Sequence, residues 1–199
     1  MRSVIVVVLA AAVLATGACS RRDHSQNGPD VRPQTIVAPE NTPVDAVPQE
    51  EPAVSRQQWR AVNDRTRNAT GNLRVSIERQ RGGPLIFAYA TGVTVEAQNY
   101  QVVSADARSG VGGQSFAALL GGDPRVSAWL YRVNQETLAP TAAAAGGLCG
   151  QATTRYLAVS EFVDATGAWV FKVAAFRGDT APGSGQDPLY CGNFAYAAQ

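Results

Sequence analysis

Residues 73–97, LRVSIERQRGGPLIFAYATGVTVEA, carry the clearest structural pattern in the chain. In the first five of them, LRVSI, apolar and polar residues alternate, and this period of two is typical of a strand with one buried face. The segments LIFAYA (85–90) and VTVEA (93–97) have strand composition as well, and the Thr-Gly pair between them predicts a tight hairpin turn. The stretch therefore predicts consecutive antiparallel strands.

Similar segments follow toward the C terminus. Residues 126–133, VSAWLYRV, predict the central strand of the sheet, and the Gly-Gly-Asp-Pro sequence before them is a strong chain break. Further strands are predicted at 155–162, 168–176 and 189–196, whereas 115–120 is ambiguous between a helical turn and a strand. The sequence predicts an all-β fold, an antiparallel sandwich or small barrel of seven or eight strands.

A short N-terminal helix is predicted ahead of these strands. Ser55 and Gln58 have the spacing of a capping box, and Trp59 and Val62 would share one helical face. The polar segment 68–71 ends this pattern.

The distribution of aromatic residues marks the edge of the folded domain. The chain has 199 residues, and all of its Trp, Tyr and Phe lie from Trp59 to Tyr196. Residues 19–55 contain six prolines and no aromatic side chain, so they cannot bury enough apolar surface to offset chain entropy. We therefore predict a disordered, proline-rich tether at 19–55 and an all-β domain at 56–199.

The first residues predict export. Residues 4–15 form an apolar run that is too short to span a membrane and fits the apolar core of a signal peptide. The following Ala15-Thr16-Gly17-Ala18-Cys19 resembles the lipobox of bacterial lipoproteins, although that family usually has Leu where Thr16 stands. The resemblance implies a lipoprotein signal peptide at 1–18, lipidation of Cys19 and anchoring to a membrane.

The residue after Cys19 predicts whether the lipoprotein is held at the inner or the outer membrane. In the resembled family, Asp at that position tends to retain lipoproteins at the inner membrane, whereas this chain has Ser20. The resemblance thus implies a cell-envelope protein on the outer membrane, facing the periplasm. The alternative is an ordinary signal peptide cleaved nearby, which would leave Cys19 as an unpaired thiol.

Two further cysteines predict a disulfide. Cys149 and Cys191 lie in matched settings, each between an apolar or aromatic residue and a glycine, and they are the only cysteines of the predicted domain. In an exported domain with two cysteines, a disulfide is the expected state. A redox-active pair would need a C-x-x-C spacing or a neighbouring cation, and the sequence has neither beside them.

Several kinds of chemistry are excluded by composition. The only histidine, His24, lies in the predicted tether, so the domain cannot form a Ser-His-Asp or Cys-His arrangement. We expect no metal site, because His is absent from the domain and a third thiol is lacking. No phosphate-binding loop is present, so no nucleotide cofactor is predicted. A net charge of +1 argues against binding nucleic acid.

A cluster of arginines early in the domain is a candidate binding surface. With only Asp64 and Glu78 nearby in sequence, these arginines could contact an acidic envelope protein or an anionic glycan. The candidate basic patch consists of Arg65, Arg67, Arg74, Arg79 and Arg81, with Arg56 and Arg60 preceding it. Biased use of arginine over lysine, with 16 Arg and one Lys in the chain, is the alternative explanation.

Carboxylates offer a second, catalytic possibility. A pair of them could cleave a glycosidic bond, although nothing in their spacing selects two. The candidates are Glu78, Glu96, Asp106, Asp123, Glu136, Glu161, Asp164, Asp179 and Asp187.

The domain also has two resemblances. Leu130–Val133, Leu148–Gly150, Phe176–Gly178 and Cys191–Tyr196 look like segments of small exported proteobacterial proteins of unknown function, which implies no activity. The periplasmic inhibitors of C-type lysozyme are lipid-anchored β-barrels with a disulfide, and Ser109-Gly110 is similar to their inhibitory loop. Here Val111 replaces the aromatic residue that follows in those inhibitors.

These observations predict a lipid-anchored binding or accessory protein of the cell envelope, without catalytic activity. The two alternatives are an inhibitor of a lysozyme-like hydrolase and a carboxylate-based hydrolase.

Overall fold

The structure, a computed structural model, describes residues 58–78 and 82–199. Over these residues the chain forms eight strands and two short helices. In chain order they are β1 (Gln58–Ala61), α1 (Asp64–Ala69), β2 (Leu73–Ile77), β3 (Leu85–Tyr89), β4 (Val93–Val103), α2 (Phe116–Leu120), β5 (Ala128–Leu138), β6 (Tyr156–Val163), β7 (Trp169–Phe176) and β8 (Tyr190–Ala198). The predicted signal peptide, the predicted tether and Cys19 lie outside the described residues.

The strands form a closed antiparallel barrel in which neighbours in sequence are neighbours in space. Each strand is hydrogen-bonded to the next, and β8 pairs with β1 through Trp59↔Ala198 and Ala61↔Tyr196. The prediction of an all-β antiparallel fold is confirmed, and of the two predicted architectures the protein adopts the barrel. Closure gives every described strand a hydrogen-bonded neighbour on both sides, so none presents a free edge.

The interior of the barrel is filled by large side chains. Trp59 stacks on Phe171 with ring centroids 5.1 Å apart, and Phe87 meets Tyr131 edge to face at 5.9 Å. Tyr196 lies among them, and its hydroxyl is 2.7 Å from that of Thr70. Eight-stranded barrels can either hold one small ligand or fill with side chains, and these fully buried rings show that this one is filled.

A second apolar cluster lies on the outer face of β5, β6 and β7. Phe116, Leu119 and Leu120 of α2 pack there against outward-facing Leu130 and Phe176. The first five residues of β6, 156–160, are consequently buried on both faces of the strand. This explains why these strands are continuously apolar in sequence, while β2 and β3 alternate.

The start of the domain differs from the prediction. Residues 58–61 form β1, with alternating burial and Trp59 in the interior, whereas Val62 is 45% exposed. The short helix begins only at Asp64, after Asn63, whose side chain accepts a hydrogen bond from the Thr66 amide at 2.8 Å. A short N-terminal helix is thus present, but it is capped by Asn63 and begins later than the predicted capping box, because pairing with β8 makes residues 58–61 a strand and overrides the weak local helical signal.

The helix α1 completes the barrel wall where β1 ends. The strand β1 has only four residues and two registered pairs with β2. Beyond it, Thr66 accepts a hydrogen bond from the Ala195 amide at 3.1 Å, and Val62 donates to the Ala195 carbonyl at 3.1 Å. Backbone groups of β8 that β1 does not reach are satisfied in this way.

The remaining predicted elements are found close to their expected places. The hairpin of β3 and β4 is present, the ambiguous segment 115–120 forms α2, and the central strand extends as β5 to Leu138. The strand β4 pairs with β5 along its whole length, but with two irregularities in register. At the second, between Asn99 and Gln101, Tyr100 is the unpaired residue of a bulge.

Candidate functional site

The two ends of the loop between β7 and β8, residues 177–189, are hydrogen-bonded to each other. The Arg177 amide donates to the Leu189 carbonyl at 3.1 Å, and the Gly178 amide donates to the Pro188 carbonyl at 3.0 Å. A Cβ at Gly178 would lie 2.7 Å from the Pro188 oxygen, so a side chain there would push the two ends of the loop apart. Compact loops with close ends are frequently functional sites.

This loop forms one wall of a polar hollow on the outside of the barrel. The hollow has a volume of about 430 Å³, and its floor is the outer face of β5 and β6. Cross-strand pairing of Arg132 with Tyr156 places Arg155 nearby, although Arg155 and Tyr156 are far from Arg132 in sequence. The hollow is lined by Arg132, Val133, Asn134, Arg155, Tyr156 and Asp179.

A second hollow, of about 290 Å³, lies beside the first one. It is bounded by the C-terminal half of β4, the segment that leads to α2 and residues 181–184 of the 177–189 loop. Arg108 supplies its charged side chain, and Phe116 and Val103 supply apolar surface. The Gly183 amide donates to the Ser109 carbonyl at 3.0 Å, which fixes the loop to the opposite wall.

Two tyrosines join the hollows. Tyr100, which lines the smaller hollow, contacts Tyr156 of the larger one edge to face, with ring centroids 5.9 Å apart. Because Tyr100 is the bulged residue of β4, its ring is turned outward, and it is 51% exposed. We call the two hollows and this tyrosine pair the outer cleft.

The outer cleft carries more positive than negative charge. Asp179 is the only acidic side chain that lines it, and it lies 3.5 Å from the guanidinium of Arg155. Arg132 and Arg108 have no ion pair within the described part of the chain, although Arg108 makes a long hydrogen bond of 3.4 Å to the Gly113 carbonyl. The Asp179 carbonyl also accepts a hydrogen bond from the Tyr156 hydroxyl at 3.3 Å. Two guanidinium groups are thus available for an anion.

The predicted disulfide is present at a different part of the barrel. Cys149 and Cys191 are bonded, with Cα atoms 5.1 Å apart, inside the normal range for a disulfide. The bond ties the loop after the central strand to the last strand. It belongs to the architecture, because both sulfur atoms are consumed and pack against the interior cluster.

Glu136 holds the same loop. Its carboxylate accepts hydrogen bonds from the Leu148 amide at 2.9 Å, the Thr154 amide at 2.8 Å and the Thr154 hydroxyl at 2.9 Å. Burial raises the pKa of the nearby Tyr89 phenol well above its ordinary value, and the charges of Tyr196 and Glu136 act in the same direction. Tyr89 therefore stays neutral. The three hydrogen bonds from Leu148 and Thr154 make Glu136 a structural carboxylate.

The other candidate carboxylates also serve local structure. At Asp123, hydrogen bonds from Arg125 lower the carboxyl pKa to about 2, so this group is ionised and paired. Glu78 and Glu161 are engaged as well. The remaining contacts are Glu96 with Asn134, Asp106 with Ser104, Asp164 with Thr166 and Ala168, Asp179 with Arg155, and Asp187 with Leu189. Nothing in these contacts selects a catalytic pair.

The arginines of the candidate basic patch are divided among different elements. Arg67 on α1 is paired with Asp64 at 2.6 Å, and the Arg65 guanidinium approaches Gly192 of β8. Arg74 lies on the outer face of β2, where it lines a shallow depression of about 430 Å³ over β1, β2 and β3. Arg79 and Arg81, like Arg56, lie outside the described residues.

The loop around Ser109, compared above with the inhibitory loop of the lysozyme inhibitors, is held closed by hydrogen bonds of the Ser109 side chain. Ser109 is fully buried, and its hydroxyl donates to the Gln114 carbonyl at 2.8 Å and accepts from the Val111 amide at 3.3 Å. This serine therefore builds the wall of the outer cleft instead of projecting from the surface.

The described range, residues 58–78 and 82–199, has neither a metal-ligand cluster nor a membrane-spanning helix. Within it, no three His, Cys, Asp or Glu side chains come together as a metal site. Neither helix there has the length and apolar character needed to cross a membrane.

Comparisons with protein-family models, curated protein sequences and solved structures found no match for this chain. The outer cleft is therefore interpreted from its own chemistry. The arginines of the cleft could not be recognised from the sequence, because Arg108, Arg132 and Arg155 are separated by more than twenty residues each. Strand pairing brings Arg132 and Arg155 together, and the segment between β4 and α2 adds Arg108. The one available signal was Tyr100, an aromatic residue at the point where the alternation of β4 fails.

Proposed function

We propose that the protein is a lipid-anchored binding protein of the bacterial cell envelope, without catalytic activity, and that the outer cleft is its binding surface. The observation that carries this proposal is an exposed tyrosine between two arginines that lack acidic partners in the described range. Exposed aromatic and arginine side chains are the residues that contribute most to recognition surfaces. The filled interior supports a site on the outside of the barrel.

The N-terminal segment fits this role. With Cys19 lipidated and residues 20–55 extended, the domain could reach roughly 110 Å from the membrane at about 3.1 Å per residue. Its average reach would be much shorter. A tether of this kind lets a folded domain search the space near a membrane while the lipid keeps it there.

Cys19→Ser tests the anchor. We expect the variant to move from the detergent phase to the aqueous phase in a phase-separation assay, because acyl chains contribute about 0.8 kcal/mol for each buried CH₂ group. The matched control is Ser20→Ala, which keeps the thiol and should remain in the detergent phase. Unchanged partition of the Cys19→Ser protein would contradict lipidation at this residue.

Photo-crosslinking in intact cells tests the binding surface. A benzophenone amino acid replaces Tyr100 in the full-length protein, and a second variant carries it in place of Arg74 on β2, two strands away around the barrel and outside the cleft lining. We expect a defined crosslinked adduct from position 100 and a much weaker one from position 74. Equal labelling from both positions, or none from position 100, would refute binding at the outer cleft.

A further inference from the structure

We propose that the outer cleft binds an extended anionic glycan, with arginines at both ends contacting its carboxylate or phosphate groups and Tyr100 contacting a sugar ring between them. This inference rests on the proposed function and adds the chemical class of the ligand.

The arrangement of charge is the first argument. Arg132 and Arg155 line the larger hollow and Arg108 lines the smaller one, so the positive groups lie on both sides of the tyrosine pair. Guanidinium groups match carboxylate and phosphate oxygens in a planar, two-point geometry. Only Asp179 opposes them inside the cleft, and Glu96 lies just beyond it, bonded to Asn134 at 3.2 Å. A ligand with repeated negative charges complements this pattern.

The exposed aromatic surface is the second argument. Tyr100 keeps half of its surface in solvent, although it packs edge to face on Tyr156. That packing and the bulge hold the ring in one orientation, so little conformational entropy is lost when a ligand covers it. A flat ring that is apolar on its face and polar at its hydroxyl suits a sugar, which also has an apolar C–H face and polar edges.

The shape of the cleft indicates an extended ligand. The hollows measure about 430 Å³ and 290 Å³, and they meet at the contact between Tyr100 and Tyr156. A compact ligand would fill one of them and leave the other set of arginines unused. A chain of sugars that crosses the tyrosine pair reaches both.

A glycan fits better than an acidic peptide. Peptides commonly add a strand to a sheet edge, and the closed barrel offers no free edge among its eight described strands. Peptide helices need a continuous apolar groove, whereas the apolar side chains line mainly the smaller hollow and the larger one is lined mostly by charged and polar side chains. Two frequent modes of peptide recognition are thereby removed.

Direct binding measurements test the ligand class. Full-length protein in detergent micelles is titrated with oligogalacturonate and with phosphorylated dextran, and with their neutral counterparts, methyl-esterified oligogalacturonate and plain dextran. Polyglutamate serves as the acidic peptide. We expect at least one charged glycan to bind, at least about tenfold more tightly than its neutral counterpart and than polyglutamate. The better of the two charged glycans identifies carboxylate or phosphate as the preferred group.

Two substitutions in the outer cleft test whether the glycan binds there. Arg132→Gln and Tyr100→Ala should each weaken it about tenfold, since an exposed charged hydrogen bond or a stacked ring is removed. Arg74→Gln removes the same charge from the outer face of β2, three strands away from β5 around the barrel, and should change affinity less than twofold.

Three results would overturn the proposal. These are failure of both charged glycans to bind, equal binding of polyglutamate, and equal effects of Arg74→Gln and Arg132→Gln. Each is distinguishable from failure of the proposed function, because crosslinking from position 100 in cells does not depend on the class of ligand.

Discussion

Cys191→Ala should lower the free energy of unfolding by about 2–5 kcal/mol. The bond joins positions 42 residues apart, and its removal frees the unfolded chain from a long closed loop. In the folded state it also releases β8, the strand that closes the barrel against β1. Urea denaturation of the full-length protein, followed by tryptophan fluorescence, measures this loss.

The partner cysteine supplies the control. Cys149→Ala should cost the same as Cys191→Ala, and the double variant should cost no more than either, because both changes remove one bond. Dithiothreitol should destabilise the wild type and leave the double variant unaffected. Additive losses in the double variant would mean that the two side chains act separately, against the role assigned to the bond.

Trp59→Ala should lower the free energy of unfolding by about 3–5 kcal/mol, because it leaves a cavity in the barrel interior beside Phe171. Trp59→Phe should cost less than half as much. The phenyl ring keeps contact with Phe171, and the indole nitrogen that it removes has no hydrogen-bond partner among the described residues. Urea denaturation monitored by circular dichroism avoids the loss of a fluorophore.

Val62→Ala is the matched comparison for Trp59→Ala. In a helix that begins near residue 58, both residues would share one buried face, and both substitutions would be costly. In the strand β1, Trp59 is buried and Val62 is exposed, so Val62→Ala should change stability by less than about 0.5 kcal/mol. A large effect at both positions would argue for the helix and against β1.

Residues 59 and 75 show which strands can be predicted from this sequence and which cannot. The strand around Val75 was predicted correctly because β2, β3 and the first half of β4 follow one another in sequence, and their alternation is contained in residues 73–97. The strand around Trp59 was not, because its main partner is β8, with Trp59 paired to Ala198. Four residues contain too little alternation to identify a strand whose partner lies at the other end of the chain.

The same reasoning applies to the site. Cys149 and Cys191 could be paired from the sequence, since two cysteines allow only one intramolecular bond. The outer cleft could not be predicted from the sequence, because it depends on the register that places Arg132 opposite Tyr156 and on the bulge that turns Tyr100 outward. Register and bulges are set by packing across strands, and a single sequence does not display them.

The shortness of β1 has a mechanical meaning. The segment that precedes residue 58 continues directly into this strand, so tension on that segment acts first on the closing strand of the barrel. Four residues, with two registered pairs on the β2 side and three on the β8 side, must carry it. The disulfide fixes β8 to the loop after β5, and the load that β1 passes to β8 is therefore spread through a covalent crosslink to the far side of the barrel.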